Sequence, residues 1–156
     1  MIAWIAFVLI AAVLWAKLEI EIEGEHGWAA MLPTWRIEKH LLLDLFYGGR
    51  PLTGYHVWAF SFVFFAFHLP FFWNAPWTWR NELRVVGAYN LFWVVEDFLW
   101  FVLNPHFGWK RFGQKEVWWH RRWFLGLPVD YWLLVALSAL FLSMSVTPDV
   151  TPPPAP

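Results

Sequence analysis

The chain has no cysteine. Disulfides, iron–sulfur clusters, zinc–thiolate sites and cysteine nucleophiles are thereby excluded. Any metal would have to be held by histidine and carboxylate. Charge is scarce as well. Asp, Glu, Lys and Arg make up 15% of the 156 residues, against about a quarter in soluble domains. The net charge of −1 offers no attraction for nucleic acid. There is no internal repeat. The histidine spacings HxxxH and HxxHH and the motif HExxH are also absent.

What the chain has in excess is apolar and aromatic surface. It is 60% hydrophobic and 22% aromatic, with fifteen Trp and sixteen Phe. A core of this size cannot absorb that many rings, whereas lipid accepts them on the outside of a bundle. The fold class expected is therefore an all-α membrane protein. It would be one domain over residues 1–146: a four-transmembrane-helix bundle with two interfacial helices in the cytoplasmic loops.

The four spans are placed at about residues 1–17, 55–73, 83–104 and 131–146. Residues 1–16, 51–79 and 131–146 carry no Asp, Glu, Lys or Arg. The first stretch lacks a basic leader, and Leu14-Trp15-Ala16 is a poor cleavage site, so it reads as a helix rather than a secretory signal. The third span is interrupted by Glu96 and Asp97. Its Leu, Phe and Val residues favour insertion by roughly 3 to 7 kcal/mol, and two central acids oppose it by roughly 5 to 7. It inserts comfortably only if those acids find partners or protons. Otherwise it lies on the surface of a three-helix protein.

The basic residues set the expected orientation. Lys17, Arg36, Lys39 and Arg50 lie between the first two spans, and Lys110, Arg111, Lys115, Arg121 and Arg122 between the last two. Only Arg80 and Arg84 lie in the remaining turn. A multi-pass protein of the cell membrane follows, with both long loops cytoplasmic and both termini outside. Residues 35–47 read as an interfacial helix capped by Thr34 and stopped by Gly48-Gly49, and residues 115–124 as a second one. The run Leu18-Glu19-Ile20-Glu21-Ile22-Glu23 alternates with period two, which fits a strand or the end of the first helix. Residues 147–156, half of them proline, read as an extended disordered tail.

Five of the six histidines fall on or beside the cytoplasmic face. Glu23 and His26 are three apart, and His40 with Asp44 and Glu116 with His120 are four apart, spacings that share a helix face. His26, His40, His56, His106, Glu116 and His120 are the candidate metal ligands, for iron, zinc or manganese. The plain alternative is that an interface attracts such residues for solvation alone. Glu96 and Asp97 are the candidate catalytic pair. They would either share a proton or be paired with Arg50, Arg121 or Arg122 reaching in from the loops. Asn90, Asp97 and Asn104 recur every seven residues as one polar stripe. A bis-histidine haem finds no matching pair of helices, and His68 among Phe64, Phe65 and Phe67 is left as a single pigment ligand or a kink-filling residue.

The functional expectation is a membrane-embedded, metal-dependent enzyme acting on a lipid or other hydrophobic substrate at the cytoplasmic face. The alternative is a non-enzymatic subunit or scaffold of a larger membrane complex, binding pigment or quinone. Membrane lipid, other membrane subunits or a second copy are the partners expected. A small transporter ranks lowest, because four helices without a repeat rarely enclose a pathway.

Overall fold

A computed structural model describes residues 2–146. The Pro-rich tail at 147–156 lies outside the described residues. The chain is mostly helical. It runs as α1 (Ile2–Glu23), β1 (Arg36–Ile37), α2 (Leu41–Phe46), β2 (Leu52–Thr53), α3 (Gly54–His68), α4 (Trp79–Leu103), β3 (Trp123–Phe124), β4 (Leu127–Pro128) and α5 (Val129–Val146). Short 3₁₀ turns follow α3 at Leu69–Phe72 and follow α4 at Trp109–Arg111.

Local sequence explains where the helices begin and end. Gly24, at φ 64°, stops α1 with its N–H bonded back to Ile20 O. Thr53 caps α3 by accepting from His56 N, and Pro70 turns its last residues into a 3₁₀ turn. Thr78 caps α4 by accepting from Asn81 N at 3.2 Å. Asn104 closes α4 with its side-chain oxygen accepting from His106 N and Phe107 N.

Three helical segments are long and apolar enough to cross a membrane: Gly54–Phe72, Trp79–Leu103 and Val129–Val146. The first expected span corresponds to α1, whose last two turns carry Lys17, Glu19, Glu21 and Glu23. Most of their apolar side chains face outward, as lipid rather than water permits. α4 is central, with α1 along one side and α5 along the other. Val8 and Ala12 of α1, Val63 and Phe67 of α3, and Val85, Ala88 and Phe92 of α4 form one core. Small residues set the approach of α5. A Cβ on Gly87 would stand 3.0 Å from Leu142 Cγ, and Ser138 Oγ donates to Gly87 O at 2.7 Å.

The two long loops depart from the expected interfacial helices. Residues 35–47 give only two extended residues and a short helix. Thr34 Oγ1 accepts from Tyr55 N instead of capping a helix, and Arg36 and Ile37 pair antiparallel with Thr53 and Leu52. The short α2 is capped by His40, and Gly48 and Gly49 do end it, both at positive φ. Residues 115–124 are turns leading into β3, because Trp123 and Phe124 pair with Pro128 and Leu127 in a hairpin. The 18–23 run is helix throughout. Both loops meet on one side of the bundle: Trp28, Trp119, Val117 and Phe107 pack with Ile20, Trp100 and Phe101.

Candidate functional site

At the loop end of the bundle a cavity of about 460 Å³ opens between α1, α3, α4, α5 and both loops. Trp28, Phe60, Trp93, Trp100 and Trp119 supply aromatic walls, and Leu133, Leu134 and Leu137 of α5 an aliphatic one. Its size falls within the range of small-molecule sites. Polar groups converge on its loop end in two clusters.

The first cluster is built on Asp97. Its Oδ2 lies 2.9 Å from His120 Nε2 and accepts the Tyr131 hydroxyl hydrogen bond. The other ring nitrogen of His120 is 3.1 Å from Asp130 Oδ2 and 3.4 Å from Arg50 Nη2. Arg50 is ion-paired with Asp130 and lies over the rings of Trp28 and Tyr47, at 4.8 and 5.4 Å. Burial pushes His120 below the usual imidazole range, opposed by the carboxylate of Asp97. A neutral ring that donates from Nε2 to Asp97 accepts at Nδ1 from Arg50, and the Asp130 carboxylate beside Nδ1 is then held by Arg50 rather than by the ring. Burial also lowers Arg50, with Asp97 acting against it. One loop, the second loop and two helices are thus joined through a single buried histidine.

The second cluster is acidic. Glu19 and Glu23 stand four apart on one face of α1 and are both buried, while Glu21 between them is exposed. Glu19 accepts from the Tyr55 hydroxyl at 2.9 Å. Glu23 accepts from Ala29 N and lies 3.9 Å from His56 Nε2. His56 is stacked on Trp28 at 4.0 Å and bonded to Thr53 Oγ1 at 2.7 Å. Trp28 and Ala29 both have positive φ, a strained pair at the cavity wall. Glu96 completes the cluster. Its carboxyl is beside that of Glu19, it is 1% exposed, and its Oε1 has no hydrogen-bond partner among the described residues.

The expected catalytic pair therefore divides. Asp97 is held at Oδ2 by His120 and Tyr131, with Arg50, one of the arginines named from sequence, acting on it electrostatically without a direct ion pair. Glu96 faces the cavity with an oxygen to spare. The expected polar stripe divides too: Asn90 and Asp97 line the cavity, whereas Asn104 Nδ2 donates to Gly24 O at 2.7 Å.

The expected metal ligands do not assemble. Among the described residues no group of three or more His, Asp or Glu side chains is arranged to hold a metal ion. The reasons differ: α1 ends between Glu23 and His26, His40 and Asp44 stay on α2 but are engaged elsewhere, and Glu116 and His120 lie on turns rather than a helix. His26 is exposed and 3.9 Å from Glu25, not beside Glu23. His40 caps α2, and Asp44 faces Arg121 at 3.8 Å. Glu116 pairs with Arg111 at 3.6 Å while His120 turns inward. His106 is exposed. Of the six, only His56 and His120 line the cavity. His68 bonds Phe64 O and Glu82, leaving neither nitrogen for a pigment.

Glu19, Trp28, Tyr47, Asp130 and Tyr131 were not singled out from sequence, and Glu23 only as a partner for His26. A helical rather than a period-two reading of residues 18–23 would have paired Glu19 with Glu23. Asp130 and Tyr131, at the mouth of the last span, carried no spacing signal. Compared with protein-family models, with curated proteins and with solved structures, the chain matches none.

Proposed function

We propose that this chain is a membrane-embedded enzyme that acts on a lipid or other hydrophobic substrate by general acid–base catalysis, with Glu96 as the proton-handling group. The observation that carries this reading is the Glu96 carboxyl: buried, short of a partner at Oε1, and on the wall of an aromatic cavity. An intramembrane acid so placed costs stability and is retained where it acts on something. Asp97, His120, Asp130 and Arg50 serve as the positioning network that shapes the loop end of the cavity and sets its field.

The same reading places α1 as a fourth span and makes the chain a multi-pass protein of the cell membrane. Nine basic residues in the two long loops against two in the α3–α4 turn support cytoplasmic loops and outside termini. Exposed Trp73, Trp77 and Trp79 around that turn suit the opposite membrane interface.

The test compares lipid extracts of cells that have lost the gene and cells that carry it. Loss should accumulate a hydrophobic precursor. The wild-type chain should clear it, and Glu96→Gln should not, at equal protein level. Identical extracts with and without the chain overturn the enzymatic reading and favour a subunit or scaffold.

A further inference from the structure

Six buried polar side-chain atoms among the described residues have no hydrogen-bond partner, and five of them belong to residues that line this one cavity: Tyr47 Oη, Arg50 Nε, Trp93 Nε1, Trp100 Nε1 and Glu96 Oε1. Native folds rarely leave such groups unmatched, and where they gather a ligand or water completes them. Trp100 and Glu96 are 3% and 1% exposed, so neither is satisfied by bulk solvent. Trp93 Nε1 has the Tyr89 hydroxyl as its protein neighbour, and that hydroxyl gives its own hydrogen to Phe60 O. Burial holds the Tyr47 phenol above its usual range, so it stays an O–H donor.

The composition of this set selects a chemistry. Four of the five are donors, and they ask for oxygen acceptors. An anionic head would meet Glu19, Glu23 and Glu96, while of the three lining arginines Arg50 is already matched by Asp130 and Arg121 and Arg122 are solvent-exposed. A cationic head would leave the four donors unmet, and Arg50 already covers the ring faces of Trp28 and Tyr47. An uncharged head with carbonyl oxygens satisfies the indoles and the phenol and repels none of the acids. Beyond it Leu133, Leu134 and Leu137 offer an aliphatic path along α5, and Leu133 is 60% exposed toward the lipid side.

Resting on the reading of this cavity as the substrate site, we propose that it takes an uncharged amphiphile whose polar end carries carbonyl oxygens, bonded by Trp100, Trp93 and Tyr47, with its hydrocarbon chain along α5.

The full-length chain in nanodiscs is dialysed to equilibrium against methyl decyl ketone, dodecane, decyl sulfate and decylammonium, with empty nanodiscs as the blank. The ketone should bind saturably and more tightly than the other three. Trp93→Phe and Trp100→Phe keep an apolar ring and remove the N–H. Each should weaken the ketone by about fivefold, the worth of one neutral hydrogen bond, and leave dodecane unchanged. Ketone and dodecane binding alike to the wild type overturns the proposal as an apolar chamber only, a comparison that needs no variant. Preference for decylammonium or decyl sulfate overturns it as an ionic site. Glu96→Gln separates the two readings. Ketone selectivity with turnover intact in that variant sinks the acid–base reading alone, and turnover lost without ketone selectivity sinks this one alone.

Discussion

Asp97 and His120 are 23 positions apart in the chain, and Asp97 Oδ2 lies 2.9 Å from His120 Nε2. That contact ties the second long loop to the C-terminal part of α4. The same oxygen accepts from Tyr131, so α5 is held to α4 through it as well. The carboxylate is therefore a junction for three segments.

Asp97→Asn keeps the shape and removes the charge. It leaves a buried imidazole and a buried phenol competing for one neutral oxygen. The expected loss is about 1 to 3 kcal/mol, and Tyr131→Phe, which removes one bond without stranding a charge, should lose about 1. Thermal unfolding in detergent ranks them. If Asp97→Asn is as stable as the wild type, the junction is decoration.

His120 makes stability depend on pH. Its folded-state affinity for a proton lies below the ordinary value of 6.5, chiefly through burial, so the unfolded chain binds the proton first. Stability from this group is fully present above the unfolded value and is lost as pH falls from about 6.5 toward the lower folded one. Asp97, Asp130 and Arg50 are the charged groups facing it. Unfolding curves should shift downward across that acidic window, and the shift should shrink in His120→Gln. An equal slope in both proteins would place the effect elsewhere.

The absence of cysteine makes orientation directly measurable. Lys110→Cys, in an exposed loop position, should react with a membrane-impermeant maleimide only after cells are opened. Ala75→Cys, in the α3–α4 turn, should react in intact cells. Labelling of both from the same side would remove a span.

How much of this was readable beforehand follows from which forces are local. Long uncharged runs mark helices because hydrophobicity and backbone satisfaction in lipid act segment by segment, and α3, α4 and α5 lie close to where those runs fall. That Glu96 and Asp97 would have to turn inward was legible for the same reason, since two acids in an apolar run cannot face lipid. Their difference in role was not. It depends on His120 and Tyr131 arriving from 23 and 34 positions away. The loop histidines misled because i,i+4 spacing brings side chains together only on a helix. Pairing of β1 with β2 left only the short α2 of the first loop helix, and turns leading into the β3–β4 hairpin replaced the second. Glu19 and Glu23 were hidden by a period-two alternation that the apolar run before them overrides.

Glu96 gives the sharpest contrast with its neighbour. Its carboxyl is buried with one oxygen unmatched, so it adds desolvation cost without a full set of compensating bonds. A central acid costs about 2.5 to 3.5 kcal/mol on insertion, and leucine at the same place favours insertion slightly. Glu96→Leu should therefore leave unfolding unchanged or raise stability by about 1 to 3 kcal/mol, while Asp97→Asn lowers it. Glu96→Gln should fall between, because its amide keeps the volume and brings a new N–H that Glu19 can accept. Both Glu96 variants should lose turnover of the hydrophobic precursor despite their stability, the pattern expected where a residue is kept for action rather than for folding. A Glu96→Leu protein that unfolds more easily than wild type would mean the acid is a structural partner of the α1 glutamates. The proton-handling role would then have to be given up.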